Sequence, residues 1–125
     1  EILDTMTNVT DIAIIDCSAT CHMPDILEMP YRANIFHSGL PGDYEHTYRL
    51  GGLSCLAGDV VGDYSFEKPL KVGDRIMFDD MAHYTMVKTS FFNGIKLPSI
   101  ALWDSETDNI DIIKQFSYKD FENKL

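Results

Sequence analysis

Three groups of residues have side chains able to do chemistry, and their spacing decides how far each reading goes. Cys17, Cys21 and His22 put two thiols and an imidazole in one short segment. Those are ligands that zinc prefers, but structural zinc sites draw on two close pairs, and no second Cys or His pair stands at a suitable separation. Packing in a core or loop accounts better for both cysteines. Cys55, together with His46 or His83, satisfies the inventory of a thiol hydrolase without any local signature of one. The run Gly52-Leu53-Ser54-Cys55-Leu56 lacks the closing glycine of a serine nucleophile elbow. Taken alone, Cys55 fits a buried small apolar residue better than a reactive one. The third group is Gly58-Asp59-Val60-Val61-Gly62-Asp63, whose two Gly-Asp pairs either bind a cation or an amine through their carboxylates or form a pair of turns. A phosphate cradle fits less well, because these acidic side chains repel the anion and no Walker or dinucleotide pattern is present.

The elements that must position these residues read as mostly β. Apolar runs suited to strands occur at Ile12–Ile15, Tyr48–Leu53, Arg75–Phe78, Ser99–Trp103 and Ile110–Phe116, separated by Gly, Pro, Asn and Asp. Lys71-Val72-Gly73-Asp74 predicts a turn before a strand, and Asn93-Gly94 predicts another because both residues tolerate positive φ. Helical readings are few: Met81–Phe91 as a short helix, and Tyr118–Lys124 as a C-terminal turn capped by Ser117, with Asp120 and Glu122 near its positive end. Two segments resist a strand reading. Asp16–Arg32 has no clean periodicity, and Pro24 and Pro30 break any long helix or central strand there. Gly51–Asp63 is punctuated by Gly51, Gly52, Gly58 and Gly62, glycines that let a backbone approach a ligand closely.

Composition sets the bounds. A chain of 125 residues buries one core and is too short for a barrel plus a second domain, so a single domain is expected. No stretch has the apolar length of a membrane span, and Glu1-Ile2-Leu3-Asp4 does not open a signal peptide. The absence of an initiator Met leads us to expect a fragment. Three cysteines cannot form a fully paired disulfide framework, which fits a reducing, cytoplasmic setting. Twenty acidic residues against ten basic ones give a net charge of −10, which repels nucleic acid and anionic membranes and attracts polycations, or simply keeps the protein soluble.

An ordered series carries a resemblance. Cys55-Leu56-Ala57-Gly58-Asp59 is followed by Val72-Gly73-Asp74, then Met81-Ala82-His83-Tyr84-Thr85, then Phe92-Asn93-Gly94. It resembles the alanine-racemase-like, fold-type III pyridoxal-phosphate decarboxylases of ornithine, diaminopimelate and carboxynorspermidine. Ser18-Ala19-Thr20-Cys21-His22-Met23-Pro24 and Leu27-Glu28-Met29-Pro30-Tyr31, with His83 before Tyr84, are similar to the carboxynorspermidine (carboxyspermidine) subgroup. Leu56 agrees, since it follows the cysteine where the ornithine and diaminopimelate enzymes usually have an acidic residue. Leu53-Ser54 departs from a Pro-Thr common in the family.

The resemblance implies a C-terminal β-barrel or sandwich-like domain with short helices, whose N-terminal α/β barrel lies outside residues 1–125. It implies a carboxy-lyase that uses pyridoxal 5'-phosphate, with the lysine that holds the cofactor outside this chain, so the isolated domain is expected to be inactive. By the same resemblance Cys55 is the general acid and reaches the neighbouring subunit's site in a homodimer, and Tyr84 binds the cofactor phosphate. Asp59 and Glu28 pair with the cationic amines of a polyamine substrate, with Asp25 and Tyr31 as alternatives to Glu28; Phe92 matches an aromatic near the interface. No nucleic acid, membrane or metal partner is implied. The other readings are a diaminopimelate- or ornithine-type decarboxylase of the same fold, and a non-catalytic β-domain that binds amines or a protein.

Overall fold

The computed structural model describes residues 1–125. Its main element is an open four-stranded sheet in the order β1 (Ile2–Asn8), β2 (Thr10–Ile15), β3 (His46–Gly51), β4 (Val60–Phe66). The outer pairs are antiparallel and β2–β3 is parallel. A parallel pair cannot be joined by a tight turn, so the chain between Ile15 and His46 has to cross over. That crossover is the Pro-broken segment that resists a periodic reading, and it carries two short helices, α1 (Ala19–His22) and α2 (Asp25–Glu28). The sheet is open, not a closed barrel. A separate two-stranded hairpin, β5 (Ile100–Asp104) and β6 (Asn109–Lys114), follows α3 (Tyr84–Val87) and a 3-10 turn at Phe92–Gly94.

Period-two alternation makes one face of the sheet the core. Ala13 and Ile15 from β2, Tyr48 and Leu50 from β3, and Tyr64 and Phe66 from β4 point inward with Ile2 and Ile35. Each large side chain so buried contributes about 1.5–3 kcal/mol. Ala19, Met23, Ile26 and Ala33 form a second cluster under the crossover helices, and Cys17, Val61 and Phe78 pack against both clusters. The crossover is therefore seated directly on the sheet core.

Several expectations change on contact with this geometry. Arg75–Phe78 is not a strand, because it forms no ladder: Met77 alone accepts, from Phe36 N, and an isolated bridge joins Ile35 to Phe78, while Asp74 just before the run accepts from Ile2 N. The helix expected over Met81–Phe91 contracts to Tyr84–Val87, since the Ser90 N–H leaves the helical ladder to donate to the Cys21 carbonyl. β1 was not legible, because only Ile2 of its residues is buried and the strand shows no alternation. β4 was hidden by Gly62-Asp63, whose polarity is explained by register: Asp63 stands opposite Arg49 and takes a two-pronged ion pair at 2.8 and 2.9 Å. The turns hold, with φ of 93° at Gly73 and 60° and 69° at Asn93 and Gly94. The C-terminal helix α4 (Tyr118–Glu122) has the expected Ser117 cap, with Asp120 completing a capping box.

Candidate active site

The crossover helices are the hub to which the other candidate segments attach. Ser18 caps α1: its hydroxyl accepts from Cys21 N at 3.0 Å and donates to Asp59 Oδ2 at 2.9 Å. The same carboxylate accepts from Ser54 N at 2.9 Å, and its other oxygen accepts from Thr20 N at 3.2 Å. Asp59 is only 3% exposed and Ser18 is fully buried. Burial pushes the Asp59 carboxyl upward, but the donors from Ser54, Thr20 and Ser18 outweigh it and hold the group below the ordinary carboxylate range. We expected this carboxylate to face a substrate amine. It faces inward, and both its oxygens are taken by protein donors.

Cys55 stands on the loop that this carboxylate closes, between Ser54 and Leu56. The loop is also closed by the Gly52 N–H donating to the Asp59 carbonyl at 2.7 Å and the Asp59 N–H to Leu56 at 3.0 Å. Cys55 itself is exposed, whereas Cys21 is buried and Cys17 partly so. Burial, with Asp16 and Asp59 adding to it, pushes the Cys17 thiol up to about 12. The Cys21 thiol donates to the Phe92 carbonyl at 3.5 Å. Of the three thiols, only Cys55 is open to an external reactant.

His22 ties the hub to the far segment. Its Nδ1 accepts from Ser18 N at 3.2 Å, which leaves Nε2 to donate to the Lys96 carbonyl at 3.0 Å and fixes a neutral tautomer. Burial lowers its proton affinity, and the Lys96 carbonyl, Asp59 and Asp16 restore part of it. A folded-state value below the unfolded one makes His22 favour the folded state most when neutral. Stability is therefore expected to be level above about pH 6.5 and to fall as pH drops through the lowered value. Denaturant midpoints of the protein across that range should show the fall, and His22→Gln should flatten it; an equal slope in both proteins would contradict the assignment.

The other side of the hub carries the remaining candidates. Asp25 of α2 accepts from the Tyr31 hydroxyl at 2.6 Å and from Thr85 of α3 at 3.1 and 3.2 Å, joining the Pro-rich segment to the helix that Tyr84 opens. Glu28 meets Lys88 in an exposed ion pair, with its own side chain 56% exposed. Such a pair is worth little in water and yields to another cation. Asp25 and Tyr31 are occupied with each other, whereas Glu28 holds only its exposed ion pair with Lys88. Tyr84 is 72% exposed, so its hydroxyl is available to an external acceptor. Phe92 is 42% exposed in the 3-10 turn. Thus the crossover joins the Cys55 loop on one side and the Glu28–Tyr84 region on the other. Sequence reading missed Ser18, Thr20 and Thr85 as organisers; the Ser18 cap before α1 was a detectable signal, but contacts across the fold are invisible to spacing.

This open sheet, with an exposed thiol loop and a crossover hub, is matched over residues 1–82 by the family model of the pyridoxal-dependent decarboxylase C-terminal sheet domain. The chain belongs to that family. More particularly, it is 50% identical over 113 residues to carboxyaminopropylagmatine decarboxylase of Synechocystis, covering 90% of this chain and 29% of that protein. It is 41% identical to carboxynorspermidine/carboxyspermidine decarboxylase of Campylobacter jejuni, covering 97% of this chain and 34% of that protein. A crystal structure of carboxynorspermidine decarboxylase from C. jejuni, complexed with norspermidine, superposes with a TM-score of 0.93 at 40% identity over 99% of this chain and 36% of that one. The chain thus spans about a third of the length of these relatives.

Proposed function

We propose that this chain is the C-terminal domain of a pyridoxal-phosphate-dependent decarboxylase that converts carboxynorspermidine to norspermidine, carboxyspermidine to spermidine, or both. The observation that carries the reading is the near-complete superposition on an enzyme crystallised with norspermidine. A second substrate, carboxyaminopropylagmatine, is favoured by the 50% identity to the Synechocystis enzyme. Its agmatine end is a guanidinium, which a carboxylate can grip with two parallel hydrogen bonds. A cytoplasmic homodimer with sites shared between subunits completes the proposal; the exposure of Cys55 supports a reach beyond its own chain.

The donor chemistry here fits one edge of the cofactor, since Tyr84 presents an exposed phenol able to donate to a phosphate oxygen. When bound, pyridoxal phosphate supplies the electron sink for breaking the bond to the carboxyl carbon. The S–H of Cys55 delivers a proton to the carbon that carbon dioxide has left, forming a C–H bond and leaving a thiolate to be reprotonated from solvent. Glu28 pairs with a cationic amine of the substrate tail, a place where its partner in this chain is already an ammonium, that of Lys88. The acidic balance of the chain draws such a polycation toward it.

Glu28→Gln in the complete enzyme is expected to raise KM for the carboxylated polyamine about tenfold with kcat little changed, the loss of one charge-assisted hydrogen bond. Steady-state kinetics decide it; an unchanged KM would take Glu28 out of the substrate site.

A further inference from the structure

We propose that Asp59 is a positioning residue for the Cys55 thiol, acting through the loop backbone and touching no part of the substrate. The inference rests on the reading of Cys55 as proton donor. Three independent donors converge on one buried carboxylate: the Ser18 hydroxyl and the Thr20 and Ser54 N–H groups. Two come from the crossover and one from the residue directly before Cys55. The carboxylate thus fastens the thiol loop to the sheet-seated hub. The backbone of the same residue closes the loop a second time, through its carbonyl to Gly52 and its N–H to Leu56.

The space around the group tells the same story. A Cβ at Gly52 would stand 2.4 Å from Asp59 Oδ2 and 2.5 Å from Cγ and Oδ1, so the loop backbone is pressed against the carboxylate. An amine could reach those oxygens only by displacing protein donors from a residue that is 3% exposed. Charge-assisted bonds of this kind are about twice as strong as neutral ones, which suits a group that fixes geometry. Proton delivery needs such fixing, because small misplacements of a reacting atom cost large factors in rate.

The test is a double-mutant cycle on the full-length, cofactor-loaded enzyme with Asp59→Asn, Cys55→Ala and the pair. Asn keeps the shape but sets its amide N–H groups against at least one of the three donors. Asp59→Asn is expected to lower kcat about tenfold with KM changed less than about twofold, and to cause no further loss in the Cys55→Ala background. A raised KM with normal kcat would make Asp59 an amine ligand and overturn the inference, as would a loss that multiplies with that of Cys55→Ala. Normal turnover in Asp59→Asn beside a disabled Cys55→Ala removes this inference alone; normal turnover in Cys55→Ala removes the proton-donor reading and this inference with it. If Asp59→Asn does not fold, Ser18→Ala removes a single donor and is expected to show a smaller kcat loss with the same non-additivity, and an additive loss would again overturn the inference.

Discussion

Cys55→Ala in the complete enzyme is expected to lower turnover by roughly 10²–10⁴-fold, the range that a placed general acid contributes. Cofactor absorbance and KM should stay close to those of the parent, because the thiol is asked to move a proton and not to hold either ligand. Cys17 is partly buried and its thiol is pushed up to about 12, and Cys21 spends its S–H on the Phe92 carbonyl. Cys55 alone is open, and its loop is fastened on both sides. Single-turnover kinetics with parent and variant check the expectation, and equal rates would leave the thiol without a chemical role.

Gly52→Ala is expected to cost about 2–4 kcal/mol of stability, between ordinary overpacking and the breaking of a buried charge's contacts. The cause is space and not backbone conformation, since Gly52 is not among the glycines at positive φ. An added methyl carbon would lie within 2.5 Å of all three carboxylate atoms of Asp59, which cannot swing aside without giving up Ser18, Thr20 and Ser54. Gly58 in the same loop is the control: a Cβ there meets nothing within 4 Å, so Gly58→Ala should stay within about 0.5 kcal/mol of the parent. Denaturant unfolding of the three proteins settles the contrast; equal midpoints for Gly52→Ala and the parent would show that the loop is not tightly packed on the carboxylate.

What was legible in the sequence follows from how local each cause is. β2 and β3 were visible because an apolar run bounded by polar and turn residues is a property of neighbouring residues, as in Ile12–Ile15 and Tyr48–Leu53. The Ser117 cap and the Asn93-Gly94 turn were visible for the same reason. Arg75–Phe78 misled because its apolar content says nothing of which backbone it pairs with, and the run turns out to take one backbone hydrogen bond, from Phe36 N to Met77, with no ladder. At the site, the inward turn of Asp59 is set by contacts across 39 and 41 residues of chain, from Thr20 and Ser18. No spacing rule reaches that far. The resemblance marked the loop, and only the fold distinguishes the residue that faces out from the one that holds it.

The central claim is the substrate class, and side-by-side decarboxylation by the full-length, cofactor-loaded enzyme tests it most directly. Carboxynorspermidine, carboxyspermidine, carboxyaminopropylagmatine, diaminopimelate and ornithine would be offered at equal concentration, and carbon dioxide release compared as kcat/KM. A preference for the carboxylated polyamines is predicted, with the rank among the three naming the substrate. A preference for diaminopimelate or ornithine would contradict it, leaving the family in place and removing the substrate assignment.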